Sequence, residues 1–153
     1  MSSVEVRLDA IGRSVPELAP PVAVYVPAVR SGNHVFTSGQ LPLVSGSLMG
    51  SGKVGAEVTP EQAREMAAQC ALNAIAAIRS VIGDLDRVVR VVKVAGFVAS
   101  EPGFSGQAGV VNGASELLGV AFGAAGAHAR SAVGVAVLPL DAPVEVEVLV
   151  EVA

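Results

Sequence analysis

The feature that most restricts this chain is its C-terminal third, His128 to Val152, where a single cation stands at the mouth of a long apolar run. After Lys93 the only Lys or Arg is Arg130, followed by Ser-Ala-Val-Gly-Val-Ala-Val-Leu and then Pro139. A guanidinium at the start of a buried strand costs on the order of several kcal/mol unless an anion pairs with it. Its planar fork matches a carboxylate at two points. Two readings of Arg130 are open. It ties the end of a sheet by pairing with Glu145, Glu147 or Glu151, or it holds an anionic ligand. Glu147 and Glu151 themselves fit the polar face of a last strand.

The elements upstream are readable from local signals. Residues 3–12 predict a short helix, followed by a proline-rich entry at Pro16, Pro20 and Pro21. Val22–Val29 and Asn33–Ser38 read as paired strands turning at Ser31-Gly32-Asn33. Residues 46–55 read as a Gly/Ser-rich loop. Thr59-Pro60-Glu61-Gln62 supplies a capping residue, a proline at the first helical position and a glutamine three places after the cap. The helix that follows carries Ala63, Met66, Cys70, Ala74, Ile78 and Ile82 on one face and stops at Gly83. Cys70 in that stripe reads as a buried structural thiol. A strand over Val88–Val98, a break at Glu101-Pro-Gly-Phe104 and a helix over 107–122 lead to Arg130 and two last strands. The order ββαβαββ predicts an α+β domain with a mixed sheet and both helices on one face. Ala132, Gly134 and Ala136 share one face of their strand, which permits close approach by another backbone or by a subunit.

Composition sets outer bounds. At 153 residues the chain is expected to be one domain, residues 1–153, with 1–20 as an N-terminal extension. Hydrophobic residues make up 52% and charged ones 16%, a surplus of apolar surface that points to self-association. No unbroken run of eighteen apolar residues is present, which argues against a membrane-spanning helix. The first residues lack the layout of a signal peptide. With Cys70 the only cysteine, a reducing cytoplasm is the expected compartment. A net charge of −4, with 3% aromatics and no Trp, argues against a nucleic-acid surface. His34 and His128 have no acidic or thiol partner at ligand spacing, so no metal is expected; His128 reads as a loop residue, at most a pocket rim.

If Leu138–Pro143 closes a simple hairpin, Arg130 lies roughly 23 Å from Glu145 along the sheet. In that register the two cannot form an ion pair within one chain, and a site containing both must come from two subunits.

Several motifs taken together resemble the RidA/YjgF family of reactive-intermediate deaminases, formerly called endoribonuclease L-PSP. They are Tyr25, Gly32-Asn33 with Ser38-Gly39-Gln40, Val111-Asn112, Arg130-Ser-Ala-Val133, Leu138-Pro139 and Val144-Glu-Val-Glu147, in the family's order from about residue 19 to 152. The family's frequent cysteine two places after the arginine is Ala132 here, and the entry to Tyr25 differs, as in a divergent branch. The resemblance implies a chorismate-mutase-like fold, a homotrimer with clefts between subunits, and no cofactor. It implies hydrolysis of 2-imino or 2-enamino acids, of the 2-iminobutanoate or 2-iminopropanoate type, to 2-keto acids and ammonia. Arg130 then holds the substrate carboxylate, backbone groups at Gly39 and Ala132, together with Asn112, complete the binding, Glu145 handles water and protons, and Tyr25 closes the pocket. Tyr25 is alternatively a core aromatic. Three other readings stand beside deamination: a non-catalytic carboxylate-binding homologue, the ribonuclease of the older family name, and a plain structural trimer.

Overall fold

The computed structural model describes residues 1–18, 20 and 24–153. Helix α1 (Ser3–Asp9) starts at Ser2, whose hydroxyl accepts from the Glu5 amide while the Glu5 carboxylate accepts from the Ser2 amide. Val4 and Leu8 of this helix are buried in the main core, so part of the predicted N-terminal extension belongs to the packed body. Strands β1 (Ala28–Ser31) and β2 (His34–Thr37) form a hairpin around Gly32-Asn33. Gly32 has φ +59°, the left-handed region that glycine enters without a steric penalty. The predicted first strand was longer: Val22 and Ala23 lie outside the described residues, and the ladder begins only at Ala28. Pro27 has no N–H to donate, but its carbonyl accepts from the Ser38 amide at 2.8 Å.

The predicted Gly/Ser loop contains part of a small hairpin, β3 (Leu43–Val44) with β4 (Ser47–Leu48), whose turn residues Ser45 and Gly46 are both left-handed. Helix α2 (Pro60–Ile82) starts at Thr59 with the expected reciprocal bonds to Gln62 and ends at Gly83, and Cys70 is fully buried on it. Strand β5 (Val88–Ala99), helix α3 (Gln107–Phe122), strand β6 (Ala129–Val135) and strand β7 (Val144–Val152) complete the chain.

The main sheet runs β1-β2-β7-β5-β6, with β5 and β6 parallel and the other pairs antiparallel. Alternation explains why β7 takes the middle: Val144, Val146, Val148, Val150 and Val152 are all buried, while the residues between them are not. Those valines, with Val35, Val94 and Val98, meet α2 and α3 in one core on one face of the sheet. Glycines permit the closest approaches. A Cβ at Gly96 would lie 2.5 Å from Val111 of α3, and one at Gly113 would collide with the Arg64 carbonyl oxygen of α2.

Three expectations are corrected here. The last two strands are not a hairpin, because β5 lies between them; residues 138–143 cross its end, where the Ala99 amide donates to the Pro143 carbonyl at 2.9 Å. A parallel β5–β6 pair with a helical crossover outcompetes the local turn, a choice made by long-range packing. Second, the small face of β6 is turned toward its own chain. A Cβ at Gly134 would meet the Gln107 amide nitrogen of α3 at 2.9 Å, and Ala132 packs against the main core. Third, Gln107–Gly126, counting the 3-10 turn after α3, is long and apolar enough by composition to cross a membrane. Polar Asn112 and Glu116 interrupt the run that a simple count looks for. In the fold its Val110, Val111, Leu117 and Leu118 are buried in the core.

Candidate functional site

The register of the sheet separates the predicted site residues into two groups. Arg130 pairs with Val94, whose side chain is buried in the core on the helix-covered face. Glu145 pairs with Phe97, an odd number of residues along β5, and so lies on the opposite, open face. Three residues along β5 and two strand spacings put their Cα atoms about 14 Å apart. The distance is shorter than a hairpin implies, yet the sheet itself stands between the two side chains.

Around Arg130 the helix-side group is built by α3. Nη1 donates to Asn112 Oδ1 at 2.7 Å and to Ser115 Oγ at 3.2 Å, and Nη2 donates to the Ala108 carbonyl at 3.3 Å. Ala108, Asn112 and Ser115 recur at helical spacing and so form one stripe facing β6. All three acceptors are neutral. Among the described residues the ion pairs are Arg13–Glu65, Lys53–Asp141, Arg64–Glu116 and Arg79–Glu5, and none uses Arg130. The sheet-tying ion pair to Glu145, Glu147 or Glu151 is therefore not what this fold contains. Nε and the second hydrogen of Nη2 stay free among the described residues, and that edge of a guanidinium is a two-point donor for a carboxylate.

Ser115 and His128 extend the group. Ser115 Oγ is 2.9 Å from His128 Nε2, and His128 Nδ1 is 2.6 Å from the Gly126 carbonyl. His128 is thus wired into the Arg130 cluster, where sequence reading gave it only a loop or rim position. Ser115 was missed altogether. Its signal was its place three residues beyond Asn112 on the same helix.

On the open face, Glu145 is half-buried beside Phe97, and Gly39 presses against its carboxylate: a Cβ at Gly39 would come within 2.5 Å of Oε2. Burial raises the Glu145 pKa above the ordinary carboxylate value, and the nearby Glu147 charge raises it further. Gln40 continues the edge by exchanging backbone bonds with Val146 at 2.8 and 3.0 Å, which holds Gly39 over Glu145. Tyr25 is 46% exposed and precedes β1, so it is not the core aromatic. The next residue, Val26, accepts from the Ser38 hydroxyl at 2.6 Å, anchoring the Tyr25 segment one residue from Gly39. Ala132 lies on the edge strand two places beyond Arg130 and faces the core, opposite Gly96.

The fold thus joins Arg130 with Asn112, and Glu145 with Gly39, but does not join the two sets within the chain. A separate cavity of about 350 Å³ is lined by Pro16, Leu18, Gln40, Leu43 and Asn73, and it contains neither Arg130 nor Glu145. Among the described residues no three His, Cys, Asp or Glu side chains gather as a metal-binding group.

Residues 5–152 match a family model described as "YjgF/chorismate_mutase-like, putative endoribonuclease". The chain is 45% identical over 151 residues to Protein TCP17 of Trypanosoma cruzi, covering 97% of this chain and 93% of that one. The solved structure of Atu1372 from Agrobacterium tumefaciens, described as of unknown function, is 43% identical with a TM-score of 0.91 over 98% of this chain and 93% of that one. RidA from the Antarctic bacterium Psychrobacter sp. PAMC 21119 is 27% identical with a TM-score of 0.62, over 89% and 94% of the two chains.

Proposed function

Because the chain belongs to the YjgF/chorismate mutase-like family, we propose that it is a deaminase that hydrolyses 2-imino and 2-enamino acids to 2-keto acids and ammonia. The observation that carries this reading is Arg130, a guanidinium held by three neutral acceptors, with Nε and one Nη2 hydrogen unpartnered among the described residues. A fixed, uncompensated fork selects a small carboxylate. The imine class is what the sequence's resemblance to the RidA/YjgF family implies, and a RidA protein is among the structures this chain is similar to.

In the proposed reaction Arg130 binds the substrate carboxylate and so places the adjacent C=N carbon. Glu145 takes a proton from a water molecule as its oxygen bonds to that carbon and passes that proton to the imine nitrogen, giving the carbinolamine. The carbinolamine then collapses: its hydroxyl proton passes by way of Glu145 to the amine nitrogen, the C–N bond breaks, ammonia leaves, and the carbonyl forms. A carboxylate whose proton affinity is raised by burial suits this exchange. Tyr25 and the backbone at Gly39 border the reacting end, while Asn112 orients the Arg130 fork and the backbone at Ala132 contacts the substrate's polar edge. Arg130 and Glu145 face opposite sides of one sheet, so in this reading they meet across a subunit boundary. The proposed assembly is a homotrimer of the family type, in the cytoplasm.

The test is release of ammonia and keto acid from freshly generated imino acids, comparing the protein with Arg130→Ala. The expected result is release above the spontaneous rate, lost in the variant. Release no faster than the blank overturns the deaminase. Retained, Arg130-dependent binding of a 2-keto acid in that case leaves the non-catalytic carboxylate-binding homologue. The family description also names endoribonuclease activity; the chain's net charge of −4 gives polyanionic RNA little attraction.

A further inference from the structure

We infer that His128 is a positioning residue for the Arg130 fork, acting through the Ser115 hydroxyl. The inference rests on the reading of Arg130 as the carboxylate holder and extends it to how the fork is aimed.

The argument starts from a carbonyl that can only accept. His128 Nδ1 lies 2.6 Å from the Gly126 oxygen, so Nδ1 carries the hydrogen and the neutral ring leaves Nε2 bare. Bare Nε2 is an acceptor, and the group facing it at 2.9 Å is the Ser115 hydroxyl, which donates its single hydrogen there. With that hydrogen committed, Ser115 Oγ presents only lone pairs on its other side. Arg130 Nη1 donates into one of them at 3.2 Å. The second Nη1 hydrogen goes to Asn112 Oδ1 at 2.7 Å, where an arginine, having no acceptor, requires the amide oxygen.

Every donor in this chain points the same way: Arg130 to Ser115, Ser115 to His128, His128 to Gly126. Such a chain polarises its members cooperatively and removes the rotational freedom of the hydroxyl. Both hydrogens of Nη1 are then spent on α3 and the guanidinium plane is set, leaving the Nε/Nη2 edge for the ligand. Without His128 the Ser115 hydrogen turns freely and, for part of the time, points at a cation. Gly126 is itself well anchored, since a Cβ there would lie 2.5 Å from the Leu118 carbonyl. The relay therefore begins on a fixed point of the fold.

A double-mutant cycle tests the relay, with 2-oxobutanoate as probe in titration calorimetry. Ser115→Ala and His128→Leu are each expected to weaken binding about fivefold to tenfold, the scale of one ordinary hydrogen bond. Ser115→Ala/His128→Leu should be no weaker than either single variant, because both break the same chain. His128→Gln, whose amide oxygen can accept from Ser115, should recover affinity to within about twofold. Additive losses, or full affinity in His128→Leu, overturn the proposal. Nitrogen-15 spectra of the ligand-free protein give a separate readout. They should show an unprotonated His128 Nε2 and slow Arg130 Nη rotation that becomes fast in Ser115→Ala. If that signature is present but 2-oxobutanoate does not bind the unaltered protein, the carboxylate-binding reading fails and the relay stands. A protonated Nε2 on the neutral ring overturns the relay whatever binds.

Discussion

Glu145 shares the open face of the sheet with Phe97 on one side and the Gly39 backbone above it, and both surroundings act against its ionised form. Its pKa is raised by desolvation first and by Glu147 second. For a carboxylate the sign is then opposite to that of a salt-bridged one. The ionised group weakens the fold at every pH above its raised folded value, and the penalty fades as pH falls toward the ordinary unfolded value. Glu145→Gln should therefore be at least as stable as the unaltered protein at pH 7, with the two denaturation midpoints converging in acid. Turnover should fall in the same variant while affinity for a 2-keto acid holds or rises. A folded Glu145→Gln protein with full turnover would remove the acid–base role. Gly39→Ala makes a sharper test. Its new methyl meets the end of a flexible side chain, so unfolding should shift by less than about 1 kcal/mol, whereas displacing the carboxylate should slow turnover about tenfold to a hundredfold. Stopped assays on imino acids beside urea melts separate the two effects. At this scale the residues of interest were legible from motif and charge, but their partners were not. Arg130 stood out as a lone cation, yet only packing revealed that Asn112 and Ser115, rather than a glutamate, receive its hydrogens.

Helix α2 illustrates how much of an element is written locally. Its proline, its cap and its terminal glycine all lie in sequence where they act, and the structure places the helix on Pro60–Ile82 accordingly. The β6–β7 connection illustrates the opposite. Leu138–Pro143 has the length and composition of a hairpin turn, and no local signal tells it to step over a strand. The crossing depends on β5 having already paired with β6 through the α3 crossover. Leu140 and Asp141 adopt φ of +60° and +57° in that step, and the Lys53–Asp141 ion pair and the Gly52 amide to Asp141 carbonyl bond hold them there. Helix–helix contact is likewise decided by one position. Gly113→Ala should cost about 3 kcal/mol, because its methyl meets backbone of α2 rather than a side chain that can turn away. Thermal unfolding measures it, and a change below about 1 kcal/mol would mean that α2 and α3 separate more easily than this packing implies.

The molecule as a whole leaves apolar surface uncovered on the sheet face opposite the helices. Val29 is 52% exposed, Phe36 45% and Val133 46%, and all three fall on that face by register. Their combined exposure agrees with the surplus of hydrophobic residues in the composition and with the proposed trimer. Light scattering at micromolar concentration should return three times the 15.3 kDa chain mass; a stable monomer would leave Arg130 and Glu145 with no way to share a substrate.

The placement of β7 also bears on how the protein is made. The strand between β2 and β5 follows both of them in the chain, so a chain emerging from the ribosome holds two unjoined half-sheets until β7 is free. The β1–β2 hairpin and the β5–α3–β6 unit wait with their valine faces unpaired. Closure of the sheet thereby waits on β7, and a truncation that trims an edge in other architectures here removes the keystone.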